Sequence, residues 1–217
     1  MSYGLTFTNN NDVVTLDSEF SRLVVLASGT YSGVGGAGAS FPFVITTQEP
    51  PLVFVRPGQS NTLCFCKLSG GPGAWTGFSF TGIAGVGTSG NWFAAAFQSK
   101  EIATFGLRLW DGNSKLLFDS GTACAQFTRT ITGWSYLGSS PTGQGTSRLS
   151  WTAYSPLGSG DYMLLNNIAM DIAGLTSRQG NQYAVWDYGN DRLVMQVVGV
   201  DISTSYYTPV VFAKPIS

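Results

Sequence analysis

Apolar residues recur along this chain in short alternating or continuous runs, each closed by Gly, Asn, Asp, Ser or Pro. That is the rhythm of β-strands and turns. The pattern predicts strands at 3–8, 13–17, 22–27, 41–46, 52–56, 62–68, 76–81, 92–97, 103–110, 115–119, 124–131, 148–154, 181–187, 192–198 and 209–213. Met163 to Leu175 alone carries helix-like spacing, and it fits either one short helix or a strand followed by a turn. So many short strands predict an all-β fold, an antiparallel β-sandwich of jelly-roll-like type. The Gly-rich stretches Gly33–Gly38, Gly70–Gly73 and Gly85–Gly90, and Ser139–Gly145, read as flexible loops. No stretch reads as a linker. The chain is therefore one continuous domain over 1–217, or an N-terminal β unit over 1–100 followed by a C-terminal one over 101–217.

A hairpin unit repeats. Tyr3-Gly4-Leu5-Thr6-Phe7, a turn at Asn9–Asp12 and Val13-Val14-Thr15-Leu16-Asp17-Ser18 align without a gap on a second copy. That copy runs Phe105-Gly106-Leu107-Arg108-Leu109, a turn at Asp111–Ser114, and Lys115-Leu116-Leu117-Phe118-Asp119-Ser120. A weaker third copy runs from Ala184 to Val194 around Tyr188–Asp191. Gly, Asn and Asp suit such turns because they tolerate positive φ. The alignment predicts that Leu5 and Leu107 are equivalent buried residues, as are Leu16 and Phe118. A second echo pairs Pro51–Pro57 with Pro209–Pro215, each an apolar run bracketed by prolines, which suits an edge strand or a strand boundary.

Charge is scarce: 11% of the 217 residues are ionic, the net charge is −1, and Gly occurs 28 times. The net charge of −1 offers no electrostatic footprint for nucleic acid. No apolar run approaches the ~20 residues of a membrane-spanning helix, and the N-terminus does not read as a secretory signal. No membrane insertion is expected. Cys64, Cys66 and Cys124 are too few for a disulfide framework and are expected to be buried and reduced, with Cys64 and Cys66 on one face of a strand.

No histidine is present, which removes Ser-His and Cys-His pairs and His-ligated metals. Gly33–Gly38 matches a dinucleotide fingerprint in letters, but a Pro-containing strand follows where a helix N-terminus is needed. Glycoside hydrolysis would need two facing carboxylates. Glu19, Glu49 and Glu101 each lie beside a turn or proline, whereas Asp17 and Asp119 share a repeat position that hairpin closure explains. Asp111, Asn113, Asp187 and Asp191 likewise read as turn residues rather than calcium ligands. The sequence predicts no enzyme, no cofactor and no metal. Among the aromatics, Trp75, Trp134 and Tyr136 lie near loops, where rings serve an interface or stack on a sugar.

The opening Ser2-Tyr3-Gly4-Leu5, the hairpin ending Leu16-Asp17-Ser18, the strand Pro51–Pro57 and the second copy Phe105–Ser120 together resemble a family of small β-rich proteins. These occur among the tail genes of long-tailed bacteriophages and prophages. The similarity is clearest over the first 120 residues or so. It implies a virion component of the tail tip or a tail fibre, synthesised in the host cytoplasm and contributing to host attachment. Implied partners are further copies of the chain (a trimer favoured), other phage tail proteins, and a host surface glycan or protein. A carbohydrate-binding adhesin module and a polysaccharide-degrading tail enzyme are the alternatives.

Overall fold

The computed structural model describes residues 6–8, 14–17, 21–143, 145–154, 160–169, 171–176 and 179–216. In chain order the strands are β1 (Thr6–Thr8), β2 (Val14–Asp17), β3 (Val24–Val34), β4 (Gly36–Ile45), β5 (Leu52–Pro57) and β6 (Asn61–Gly71). There follow β7 (Ala74–Thr81), β8 (Gly87–Ala96), β9 (Arg108–Trp110), β10 (Leu116–Asp119), β11 (Cys124–Ile131) and β12 (Ser135–Gly143). The last six are β13 (Thr146–Tyr154), β14 (Tyr162–Leu164), β15 (Ile172–Ala173), β16 (Gln179–Asp187), β17 (Arg192–Gly199) and β18 (Val210–Ile216). Two 3-10 turns, Asn166–Ala169 and Tyr188–Asn190, complete the regular structure. Met163 to Leu175 is thus strand and turn.

The protein is an antiparallel β-sandwich with one sheet closed on itself. Six strands form a barrel in the order β11-β18-β14-β5-β8-β3. Against it lies an open sheet in the order β12-β13-β17-β16-β6-β7-β4, with β15 added beside β16. β1–β2 and β9–β10 are separate hairpins. Barrel strand β5 and the Trp92–Ala96 half of β8 are covered on both faces, which is why they read as continuous apolar runs, whereas β3 and β11 keep exposed stretches. Val53, Val55, Trp92, Ala94, Val210 and Phe212 point into the core shared with the open sheet. Phe54, Phe93, Ala95, Leu164 and Ala213 form a second cluster drawn from barrel strands alone, the filling of the barrel.

The internal repeat extends far beyond the hairpin. Thr6↔Asp17, Phe7↔Leu16 and Thr8↔Val14 recur 102 positions later as Arg108↔Asp119, Leu109↔Phe118 and Trp110↔Leu116, with the same register irregularity. In the barrel, β8 joins β3 to β5 as β18 joins β11 to β14. Val24↔Ala96, Val25↔Ala95 and Ala27↔Ala94 correspond to Gln126↔Lys214, Phe127↔Ala213 and Arg129↔Phe212, with the bulge at the same step. In the open sheet, β7 joins β4 to β6 as β17 joins β13 to β16. The copies meet where a strand pairs antiparallel with its own counterpart, at β3–β11, β5–β14 and β6–β16. The hydrogen-bonding pattern therefore has an internal twofold. Strands from both sides of residue 100 pair in both sheets and share one core.

Several expectations are corrected by these pairings. The proline-bracketed strands β5 and β18 are interior strands of the barrel, so their prolines mark strand boundaries and not edges. Gly36–Ser40, Gly87–Asn91 and Ser139–Gly143, read as loops or left unassigned, lie in β4, β8 and β12. Glycine is there because neighbouring backbones approach closely: a Cβ on Gly38 would lie 2.3 Å from the Phe78 carbonyl oxygen. Leu107 is 38% exposed and Phe118 is half-buried, whereas Leu117 is buried. The inward face of β10 carries Leu117 and Asp119, against the 97–103 segment, where Ser99 Oγ donates to the Leu117 carbonyl. Leu5 lies outside the described residues, as does the side chain of Leu16.

Cys64 and Cys66 also part company. β6 slips in register between Cys64 and Lys67, and Phe65 sits there at φ 49°. This bulge reverses the alternation. Leu63 and Cys66 enter the shared core, while Cys64 lies outside it with its thiol donating to the Thr81 carbonyl at 3.4 Å. All three cysteines are free and buried. Burial pushes the Cys64 thiol up to about 11, and pushes the Cys66 thiol higher still.

Candidate functional site

Local geometry decides first what the acidic residues do. Asp119, buried at the end of β10, accepts hydrogen bonds from the amides of Ile102, Ala103 and Gly121 and from Arg108 Nε at 2.8 Å. Arg108 also reaches Glu101 at 3.1 Å and the Ala103 carbonyl. Burial raises the Asp119 carboxyl; the Arg108 bond and the three backbone amides outweigh it and hold the group at about 2. Such a carboxylate carries no proton near neutral pH, so it does not fit the acid half of a glycosidase pair. It organises the loop that precedes its hairpin. Asp17 has no described side chain.

Turn closure occupies the other candidates. Asp111 Oδ1 accepts from the Asn113 and Lys115 amides at 2.8 and 2.9 Å. Asp187 binds Asn190 and Arg192, which lower its carboxyl, and Asp191 ends that turn in the left-handed region. Among the described residues no group of three or more Cys, Asp or Glu side chains converges as a metal site.

The aromatic candidates divide between opposite edges of the open sheet. Trp134 and Tyr136, just before and within edge strand β12, join Trp151 of β13 and Tyr206 in a run of four rings. Trp134 meets Tyr206 edge-on at 5.3 Å, Tyr206 stacks on Trp151 at 4.9 Å, and Trp151 lies 5.9 Å from Tyr136. The indole N–H of Trp134 donates to Thr208 O and that of Trp151 to Thr204 O, pinning the loop between β17 and β18 to the rings. Burial raises the Tyr206 hydroxyl to about 12. Trp151 and Tyr206 are buried, Trp134 is half-buried, and Tyr136 and Tyr207 present 44% and 82% of their surface. Trp75 lies five strands away on β7, half-buried, with its indole N–H on Thr47 O at 2.9 Å. It therefore belongs to no common site with the other two. Tyr206 and Tyr207 carried no signal in sequence that linked them to β12, because the link is a contact over 70 residues long.

Beside β12 the outer face of the sheet forms an open depression of about 360 Å³. Ser139, Arg148, Ser150, Asp187, Arg192 and Gln196 line it, so it combines hydroxyls, an amide and both signs of charge. None of the four rings lines this depression: they gather around Trp151 on the core side of β13, whereas Arg148 and Ser150 face the other way.

A second exposed end lies on β3–β4 and β7–β8. Gly35 turns the chain at φ 72°, its N–H bonding the Val86 carbonyl and its carbonyl accepting from Gly82. Val34, Ile83 and Val86 project from this rigid tip, 74%, 54% and 42% exposed. By the internal twofold this tip corresponds to the Trp134–Tyr206 end, so equivalent loop pairs carry two chemistries, aliphatic and aromatic. Comparison with family models, with curated proteins and with solved structures finds no match to the chain.

Proposed function

We propose that the chain is a structural component of a bacteriophage tail tip or tail fibre that contributes to host attachment. The observation that carries this reading is the distribution of exposed apolar surface. Phe105, Tyr207, Leu175 and Val34 are 92%, 82%, 77% and 74% exposed. They lie at separate places on a body with few charges. Surfaces of that kind are covered by several neighbours in an assembly. The motif order of the N-terminal half, with its resemblance to phage tail proteins, supports the same reading. The chain then works as a homo-oligomer, a trimer by analogy with threefold fibres, in contact with other tail proteins. It is made in the host cytoplasm and resides in the virion.

Gold-labelled antibody on particles made from the genome that encodes the chain tests this directly. Label is expected at the distal end of the tail, and unlabelled particles refute the proposal. A carbohydrate-binding module is the second reading, favoured by the exposed Tyr136 ring on the edge strand β12. Binding of the isolated chain to a glycan array, lost in Tyr136→Ala, would support it. Release of reducing sugar from host envelope would instead support a polysaccharide-degrading enzyme.

A further inference from the structure

The barrel closes where Val24 of β3 pairs with Cys124 of β11, and among the described residues the open sheet ends in two long edge strands, β4 and β12. The internal twofold makes them unequal. β13, the counterpart of β4, is covered by β12, and β12 itself has no counterpart in the first copy. Among the described residues β4 pairs with β7 alone and lacks the strand that its counterpart possesses. We propose that the open edge of β4 takes the β12 edge of a second copy of this chain, joining the open sheets of neighbouring copies head to tail.

Three further observations fit that occupant. Proteins that stay monomeric guard exposed edges with charge. Here residues 23–48, which contain β4, and 130–147, which contain β12, hold no Asp, Glu, Lys or Arg. Gly36 to Ser40 is a regular five-residue edge of small side chains, so a second backbone can approach it closely. Beyond it the pairing breaks: Ser40 and Ile45 face Gly77 and Trp75, and the intervening Phe41–Val44 bulges outward around Pro42. β12 similarly slips at Tyr136–Gly138 and at Pro141–Gly143. Each edge thus exposes a short pairing segment ended by a bulge, which limits the junction to a few residues and fixes its register. A heterologous contact of this kind closes into a ring when its rotation permits.

The inference rests on the oligomer clause of the proposed function, and the experiment separates the two. Ser40 and Ser139 are both exposed, so Ser40→Lys and Ser139→Lys place a charge on each edge without disturbing the core. Light scattering should find the parent chain oligomeric and each variant monomeric, with unchanged far-ultraviolet circular dichroism. An equimolar mixture of the two variants should form a 1:1 dimer, because Ser40→Lys keeps an intact β12 and Ser139→Lys keeps an intact β4. A monomeric parent chain would remove the oligomer reading itself. An oligomeric parent that neither substitution dissociates, or a mixture that stays monomeric, would overturn the β4–β12 contact alone.

Discussion

Phe54 marks the seam between the two copies, paired across β5–β14 with Leu164 and filling the barrel. Its ring is fully buried and stacks on Phe93 at 4.7 Å with an interplanar angle of 14°. Phe54→Ala removes the ring's transfer energy and leaves a cavity that a closed barrel cannot collapse, at a cost of about 3–5 kcal/mol. Loss of the stacked pair, worth roughly 0.5–1.5 kcal/mol, places the expectation in the upper half of that range, about 4 kcal/mol. For a chain of this size that lowers Tm by roughly 8–16 °C. Urea unfolding followed by circular dichroism measures it, with Leu107→Ala as a surface control expected within about 0.5 kcal/mol of the parent. Phe54→Ala and Phe93→Ala share one cavity, so the double variant should fall short of additivity by about 1 kcal/mol. A cost below about 1 kcal/mol for Phe54→Ala would show that the barrel interior is not packed, and would remove the seam as a source of stability.

Other outcomes follow from single sites. Leu117→Asp should unfold the chain or its hairpin, because it buries an unpaired charge, whereas Leu107→Asp should melt within a few degrees of the parent. Asp119 has a folded value of about 2, below the ~3.9 of an unfolded Asp, so its stabilisation is fully present above pH ~4 and is lost as pH falls toward 2. The melting temperature of Asp119→Asn should therefore approach that of the parent as acid is added, and a constant gap would contradict the assignment. Cys64, Cys66 and Cys124 should resist alkylation in the native protein near pH 8 and all react once denatured; a thiol missing from the denatured count would indicate a bridge.

The sequence by itself determined what short-range physics controls. Alternation located most strands, and Asp, Asn and Gly placed the hairpin turns, since Asp111 and Asp187 close their turns by bonds to residues two to five positions away. The matched hairpins were legible for the same reason. Asp119 was legible as a hairpin-closing residue, but its hold on Ile102 and Ala103 was not. Of the candidate site, Trp134 and Tyr136 could be named as rings near loops, while their meeting with Trp151 and Tyr206 could not.

Tertiary structure decided everything that depends on which strand lies beside which. Alternation says which residues share a face but not which face is covered, so β10, apolar on both sides, left Leu117 and Phe118 undecided. One bulged residue, Phe65, moved Cys64 and Cys66 to different sides of β6, and no local pattern announces such a slip. The Gly-rich first half of β4 carries no strand signal because a glycine strand has no side-chain pattern; it is a strand because β7 supplies its hydrogen bonds. The seams β3–β11, β5–β14 and β6–β16 join residues about a hundred positions or more apart, and only folding brings each strand to its own counterpart.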